Sequence, residues 1–189
     1  MRTIKENIEY KYIINKSEFI AILIKIKDVD FVKEEIEKIK NDYKDATHYC
    51  YAYIIDDNKK SSDDGEPGGT AGVPIMDTLN KLDLNYVLCV VVRYFGGIKL
   101  GAGGLVRAYR KATSDALSLA KFSELVNGFE ITLEVSYDKQ KEIEFLIKDN
   151  YQKEYKENVI YKLECTKEIK EQLENKYNIL EIKEKVIEI

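Results

Sequence analysis

Tryptophan is absent from the 189 residues, histidine occurs once (His48), and there are only two prolines and three cysteines. Each scarcity excludes something. One histidine and no Cys-x-x-Cys pair leave a metal centre short of its usual ligands. Cys50, Cys89 and Cys165 are odd in number, and two lie inside apolar strand-like runs. They read as buried thiols in a reducing compartment, not as a disulfide framework. No apolar run approaches the roughly 18 residues of a membrane span. The start, Met1-Arg2-Thr3-Ile4-Lys5-Glu6, lacks the apolar core of a signal peptide. The expectation is a cytoplasmic protein with no membrane partner, no metal, no cofactor and no catalytic residues. Its length permits one domain or two small ones.

Acidic residues are missing from one stretch. The formal net charge of -4 argues against indiscriminate nucleic-acid binding. Yet Leu84 to Ser114 contains no Asp or Glu, while Arg93, Lys99, Arg107, Arg110 and Lys111 give five positive charges. Three of the four arginines fall there, and arginine is the planar, bidentate partner of phosphate and carboxylate. Nine of the ten glycines and both prolines lie between Gly65 and Gly104, so unusual backbone geometry is concentrated beside that charge.

Apolar periodicity sets the elements. Tyr10 to Lys16 and Phe19 to Lys27 read as strands, the second nearly continuous, as a strand covered on both faces would be. Val29, Val32, Ile36, Ile39 and Tyr43 keep helical spacing after a cap at Asp28 or Asp30. His48 to Ile55 is a strand, Asp56 to Gly72 a polar loop, and Val73 to Leu82 a short helix with Pro74 in its first turn. Tyr86 to Val92 is a buried strand, Phe95 to Gly104 a second glycine loop, and Leu105 to Lys121 a helix. On that helix Leu105, Ala108, Tyr109, Ala112, Ala116 and Leu119 share one side, and Arg107, Arg110 and Lys111 the other. Beyond Asn127-Gly128 the pattern is β-α-β-β-α-β, the ferredoxin-like order. The division expected is 1–127 and 128–189, the second part carrying 11 lysines against 15 acids. The fold class expected is α/β, a first sheet with helices on one face and a ferredoxin-like second domain.

Two glycine blocks carry the chemistry. In Ser62-Asp63-Asp64-Gly65-Glu66-Pro67-Gly68-Gly69-Thr70-Ala71-Gly72, glycine and proline shape the loop. The carboxylates could hold a metal, serve as acid and base, or order the loop through side-chain-to-backbone bonds and accept from an arginine. The loop-organising residues expected are Asp64, Gly65, Glu66, Pro67 and Thr70, with Asp64 and Glu66 facing Arg93 or Arg107. The second block, Arg93-Tyr94-Phe95-Gly96-Gly97-Ile98-Lys99-Leu100-Gly101-Ala102-Gly103-Gly104-Leu105-Val106-Arg107, leads a strand into a helix start, a natural anion site. No Gly-Lys-Ser/Thr ends it, so it is not a Walker loop. It suits an RNA backbone or exposed bases, or else is a structural turn. The candidate phosphate-binding residues are Arg93, Tyr94, Lys99, Gly101, Gly103, Gly104, Arg107, Arg110 and Lys111. His48 stands two residues from Cys50 on one strand; a Cys–His pair is conceivable, and a half-buried strand histidine is the simpler reading.

Ser17-Glu18-Phe19-Ile20-Ala21, His48-Tyr49-Cys50-Tyr51-Ala52, the Asp63-to-Gly72 block and the Arg93-to-Tyr109 block together resemble the YigZ/IMPACT family. The resemblance covers roughly Lys16 to Lys121, with Glu18 where relatives are usually more basic. It implies a first domain similar to domain four of elongation factor G and to a domain of a small-subunit ribosomal protein. The second domain would be similar to the ferredoxin-like fifth domain of that factor. It also implies a non-catalytic role in translation regulation, with RNA or the ribosome as partner, or a protein partner in translation control, as in eukaryotic relatives. Small-molecule kinases of the galactokinase type share the fold, which keeps a phosphate- or nucleotide-binding enzyme as an alternative.

Overall fold

A computed structural model describes residues 1–148 and 151–189. The chain divides into two compact units, Met1–Ser123 and Glu124–Ile189. In the first, five strands form one antiparallel sheet: β2 (Ile8–Ile14), β3 (Ser17–Lys25), β4 (His48–Ile55), β5 (Asn58–Ser62) and β6 (Val87–Tyr94), in the order β2-β3-β6-β4-β5. A short strand, β1 (Arg2–Ile4), precedes them. The central strands β3 and β6 are buried along almost their whole length, which is why their sequences are apolar without alternation.

Three helices cover this sheet, and they do not share a face. Helix α1 (Val29–Asp42) is capped by Asp28, whose carboxylate accepts from the Phe31 N–H at 2.8 Å. Its Val32, Ile36 and Ile39 pack on Ile20, Ile24, Leu88, Val90 and Val92. Helices α2 (Gly72–Lys81) and α3 (Gly101–Leu119) pack on the alternate residues, Phe19, Ala21, Leu23, Cys89 and Val91. The α/β class holds, but the expectation of helices on one face is corrected: successive strand residues point to opposite sides, and both sides of β3 and β6 are apolar.

Two further boundaries differ from the sequence reading. The segment read as one loop from Asp56 contains β5, Asn-Lys-Lys-Ser-Ser, paired antiparallel with β4 from Tyr51↔Ser62 to Ile55↔Asn58. It has no apolar residue to signal a strand, and its two lysines suit a sheet edge. Helix α3 begins at Gly101 rather than Leu105, so Gly101, Gly103 and Gly104 form its first turn. Glycine's low helix propensity hides that turn from the sequence. Along α3, Leu117 is buried and Leu119 is exposed, reversing the expected side for Leu119.

The second unit is ferredoxin-like. Strands β7 (Phe122–Val135), β8 (Tyr151–Tyr155), β9 (Val159–Cys165) and β10 (Asn178–Glu188) pair antiparallel in the order β10-β7-β9-β8. Helices α4 (Gln140–Ile147) and α5 (Lys167–Glu174) bring Ile143, Ile147 and Leu173 onto Ile131, Leu133, Val159, Tyr161 and Leu163. Among the described residues no helix is long and apolar enough to cross a membrane.

Candidate anion site at the start of the third helix

Cross-strand register builds the floor of the site. Phe19 pairs with Arg93, and Arg93 with His48, so the three side chains form one row across β3, β6 and β4 on the α2/α3 face. The Arg93 guanidinium lies 5.3 Å from the Phe19 ring and 5.5 Å from the Phe95 ring, within cation–π range of both. It is 5% exposed. A buried cation needs a partner, and Glu66 supplies it: Arg93 Nη1 donates to Glu66 Oε1 at 2.5 Å. Tyr109 Oη donates to the same oxygen at 2.7 Å. Arg93 Nε–H is buried and has no hydrogen-bond partner.

The acidic loop is what delivers Glu66. Asp63 accepts from the backbone N–H groups of Gly69, Ala71 and Gly72 at 2.8, 3.0 and 2.8 Å. Burial pushes the Asp63 carboxyl up, and the three N–H bonds from Gly69, Gly72 and Ala71 outweigh it, so its pKa falls below the usual carboxylate value. Asp64 accepts from the Tyr49 N–H at 2.6 Å, tying the loop to β4. Gly65, at φ +86°, turns the chain where a side chain would be strained. Thr70 closes the turn, its hydroxyl donating to the Pro67 carbonyl at 2.6 Å.

His48 joins the same network. Its Nδ1 is 2.8 Å from the Asp64 carbonyl oxygen, which can only accept, so Nδ1 carries a proton and donates. Its Nε2 then faces Glu66 Oε2 at 3.8 Å. Cys50 does not pair with His48: its Sγ lies 3.0 Å from the Asp63 carbonyl oxygen and 3.3 Å from Tyr109 Oη. Burial pushes the Cys50 thiol up to about 12, so it stays protonated and unreactive.

Above this floor lies a cavity of about 400 Å³, lined by His48, Glu66, Arg93, Phe95, Lys99 and the start of α3 at Leu100, Gly101 and Ala102. The helix start has no capping side chain and no acid in its first turn. Its leading N–H groups are therefore free to meet an anion, at the positive end of the helix dipole. Lys99 is exposed and, among the described residues, has no ion-pair or hydrogen-bond partner. Pro67 also lines the cavity.

The structure brings together only part of the residue set read from the sequence. Arg93, Lys99 and Gly101 line the cavity, and Glu66 pairs with Arg93, one of its two expected arginines. Gly103 and Gly104 belong to the same first turn, and a Cβ on Gly104 would meet Leu100 Cβ at 3.0 Å. Tyr94 is a correction. It follows Arg93 on one strand and so points to the other face, packing with the α1 side and donating to the Lys44 carbonyl at 3.1 Å. Arg110 reaches Asp77 at 3.7 Å, and Lys111 is paired with Asp115 at 2.9 Å. Neither of them lines the cavity, and nor does Arg107, which is exposed. His48 and Thr47 were not among the expected site residues; the His48↔Arg93 register becomes visible only once strand pairing is known. Among the described residues no three His, Cys, Asp or Glu side chains gather as a metal-binding group.

A model of the Impact N-terminal domain matches residues 15–117. The chain belongs to the IMPACT family. It is 50% identical over 119 residues to the IMPACT family member YvyE of Bacillus subtilis, covering 61% of this chain and 55% of that protein. It is 38% identical over 139 residues to the IMPACT family member YigZ of Escherichia coli, covering 71% of this chain and 68% of that protein. A crystal structure described as that of a hypothetical protein superimposes with a TM-score of 0.68 at 30% identity, covering 96% of this chain and 97% of that one. The site residues Glu66, Arg93, Lys99 and Gly101 lie inside the matched family domain, and the second unit lies outside it.

Proposed function

We propose that this IMPACT-family chain is a non-catalytic RNA- or ribosome-associated protein acting in translation regulation, and that it holds an RNA phosphate at the start of α3. The observation that carries the reading is the convergence of three donor groups on one cavity: the Arg93 side chain, the partner-free Lys99, and the uncapped N–H groups at Gly101 and Ala102. Phosphate is the anion that uses such a set best. Phe95, 45% exposed at the rim, offers a ring on which a base can stack. Glu66 neutralises part of Arg93 and sets its rotamer, so the site keeps a modest positive balance rather than a broad basic field.

Sedimentation with ribosomes, with and without nuclease, tests this. Co-sedimentation that is lost on nuclease treatment and weakened in Lys99→Ala supports the reading. Absence of binding to ribosomes and to RNA rejects it. A protein partner that survives nuclease treatment would favour an interaction module instead. The contact between His48 and Glu66 in the cavity favours a second reading, a phosphate- or nucleotide-binding enzyme. Under that reading ATP with Mg²⁺ raises the melting temperature; an unchanged melting temperature across nucleotides counts against it.

A further inference from the structure

Resting on that reading, we propose that the site recognises a phosphate monoester at the end of a nucleotide chain, or on a free nucleotide, rather than a phosphodiester within an RNA strand. The reason is access. Arg93 lines the cavity and is only 5% exposed, so a ligand must enter the cavity to meet its guanidinium. The cavity holds about 400 Å³, at the small end of the roughly 300–1,000 Å³ range of small-molecule pockets. That is room for about one nucleotide. An internal phosphodiester would have to bring a nucleotide on each side of it past the rim, whereas a chain end brings one.

Charge and valence agree with access. A phosphate monoester carries about -1.5 to -2 charges near neutral pH and three acceptor oxygens. The cavity offers donors from three separate elements: Arg93 on β6, Lys99 in the loop, and the first N–H groups of α3. A diester in a strand exposes two oxygens and one charge, and would leave part of this set unused. The base of the end nucleotide then lies toward the exposed Phe95 ring, which also covers the Arg93 guanidinium at 5.5 Å.

The test uses the full chain and one short mixed-sequence RNA in four forms: 5′-phosphate, 3′-phosphate, both ends hydroxyl, and circular. Adenosine 5′-monophosphate serves as competitor. One phosphorylated form should bind at least about tenfold tighter than the hydroxyl and circular forms, the scale of a charged hydrogen-bond set. Lys99→Ala, an exposed change that leaves the Arg93–Glu66 pair intact, should remove that preference. Competition by the mononucleotide at similar affinity would identify a free nucleotide as the ligand source; its failure, with the end preference intact, would identify the RNA end. Equal binding of all four forms would overturn the inference and leave the RNA reading standing. Binding of none would overturn both.

Discussion

At the cavity of the first unit, the side chains of Arg93 and Glu66 are 6% and 3% exposed, and Arg93 still keeps a donor without a partner. On the sheet face of the second unit turned away from its helices, Lys162, Lys183 and Lys185 are 51%, 58% and 45% exposed, and each lies beside a carboxylate of Glu130, Glu164 or Glu181. The two arrangements differ in what they leave available. Exposed pairs in a ladder satisfy each other in high dielectric, contribute little stability, and present no spare cation. A buried pair costs desolvation, and in the proposed function Arg93 is held by Glu66 at the wall of the anion cavity. Under the proposed function, charge serves the site in the first unit, while in the second it forms a solvated face.

The largest test of that contrast is Glu66→Ala. It leaves the Arg93 charge and the Tyr109 hydroxyl buried without their shared acceptor, so denaturant unfolding should show a loss of about 3–5 kcal/mol. Lys162→Ala in the second unit should cost under about 1 kcal/mol in the same measurement. Equal costs would erase the distinction between the two regions.

Next in size is the loop that delivers Glu66. Asp63→Asn should cost about 1–3 kcal/mol at neutral pH, because three N–H groups lose a charged acceptor. The Asp63 pKa is lowered on folding, so its contribution is complete above the unfolded aspartate value of about 4 and is lost as the pH falls through the lower folded value. The cost of the substitution should therefore shrink toward zero in strong acid. A pH-independent difference between the two proteins would show that the carboxylate does not hold the loop.

Smaller effects separate cations within the first unit. Lys99→Ala should weaken RNA binding and lower the salt slope by about one. Lys111→Ala, which removes a cation already paired with Asp115 outside the cavity, should change the slope much less. Lys183→Ala in the second unit should leave it unchanged.

Much of this was legible in the sequence where one physical rule decides. Helix α1 shows its 3.6-residue stripe, β6 its buried run, and the second unit its β-α-β-β-α-β order. The acidic and basic glycine blocks pointed to Asp64 or Glu66 facing Arg93 or Arg107, and of these the Glu66–Arg93 pair forms. What stayed hidden depends on pairing that sequence does not display. Strand β5 is all polar because it is a sheet edge, and the first turn of α3 is made of residues that rarely start a helix. Tyr94 was grouped with Arg93 by adjacency, although strand alternation sends the two to opposite faces. His48 was set aside because its partners, Glu66 and the Asp64 carbonyl, are 18 and 16 residues away along the chain.

The most direct measurement is a heteronuclear NMR titration of the full chain with short RNA, following the Arg93 Nε–H resonance and the backbone amides of Gly101 and Ala102. The account expects these to shift first and together, and the Lys162, Lys183 and Lys185 amides to stay still. Shifts confined to the Arg110–Lys111 surface or to the second unit's sheet, with Arg93 and Gly101 unmoved, would contradict it.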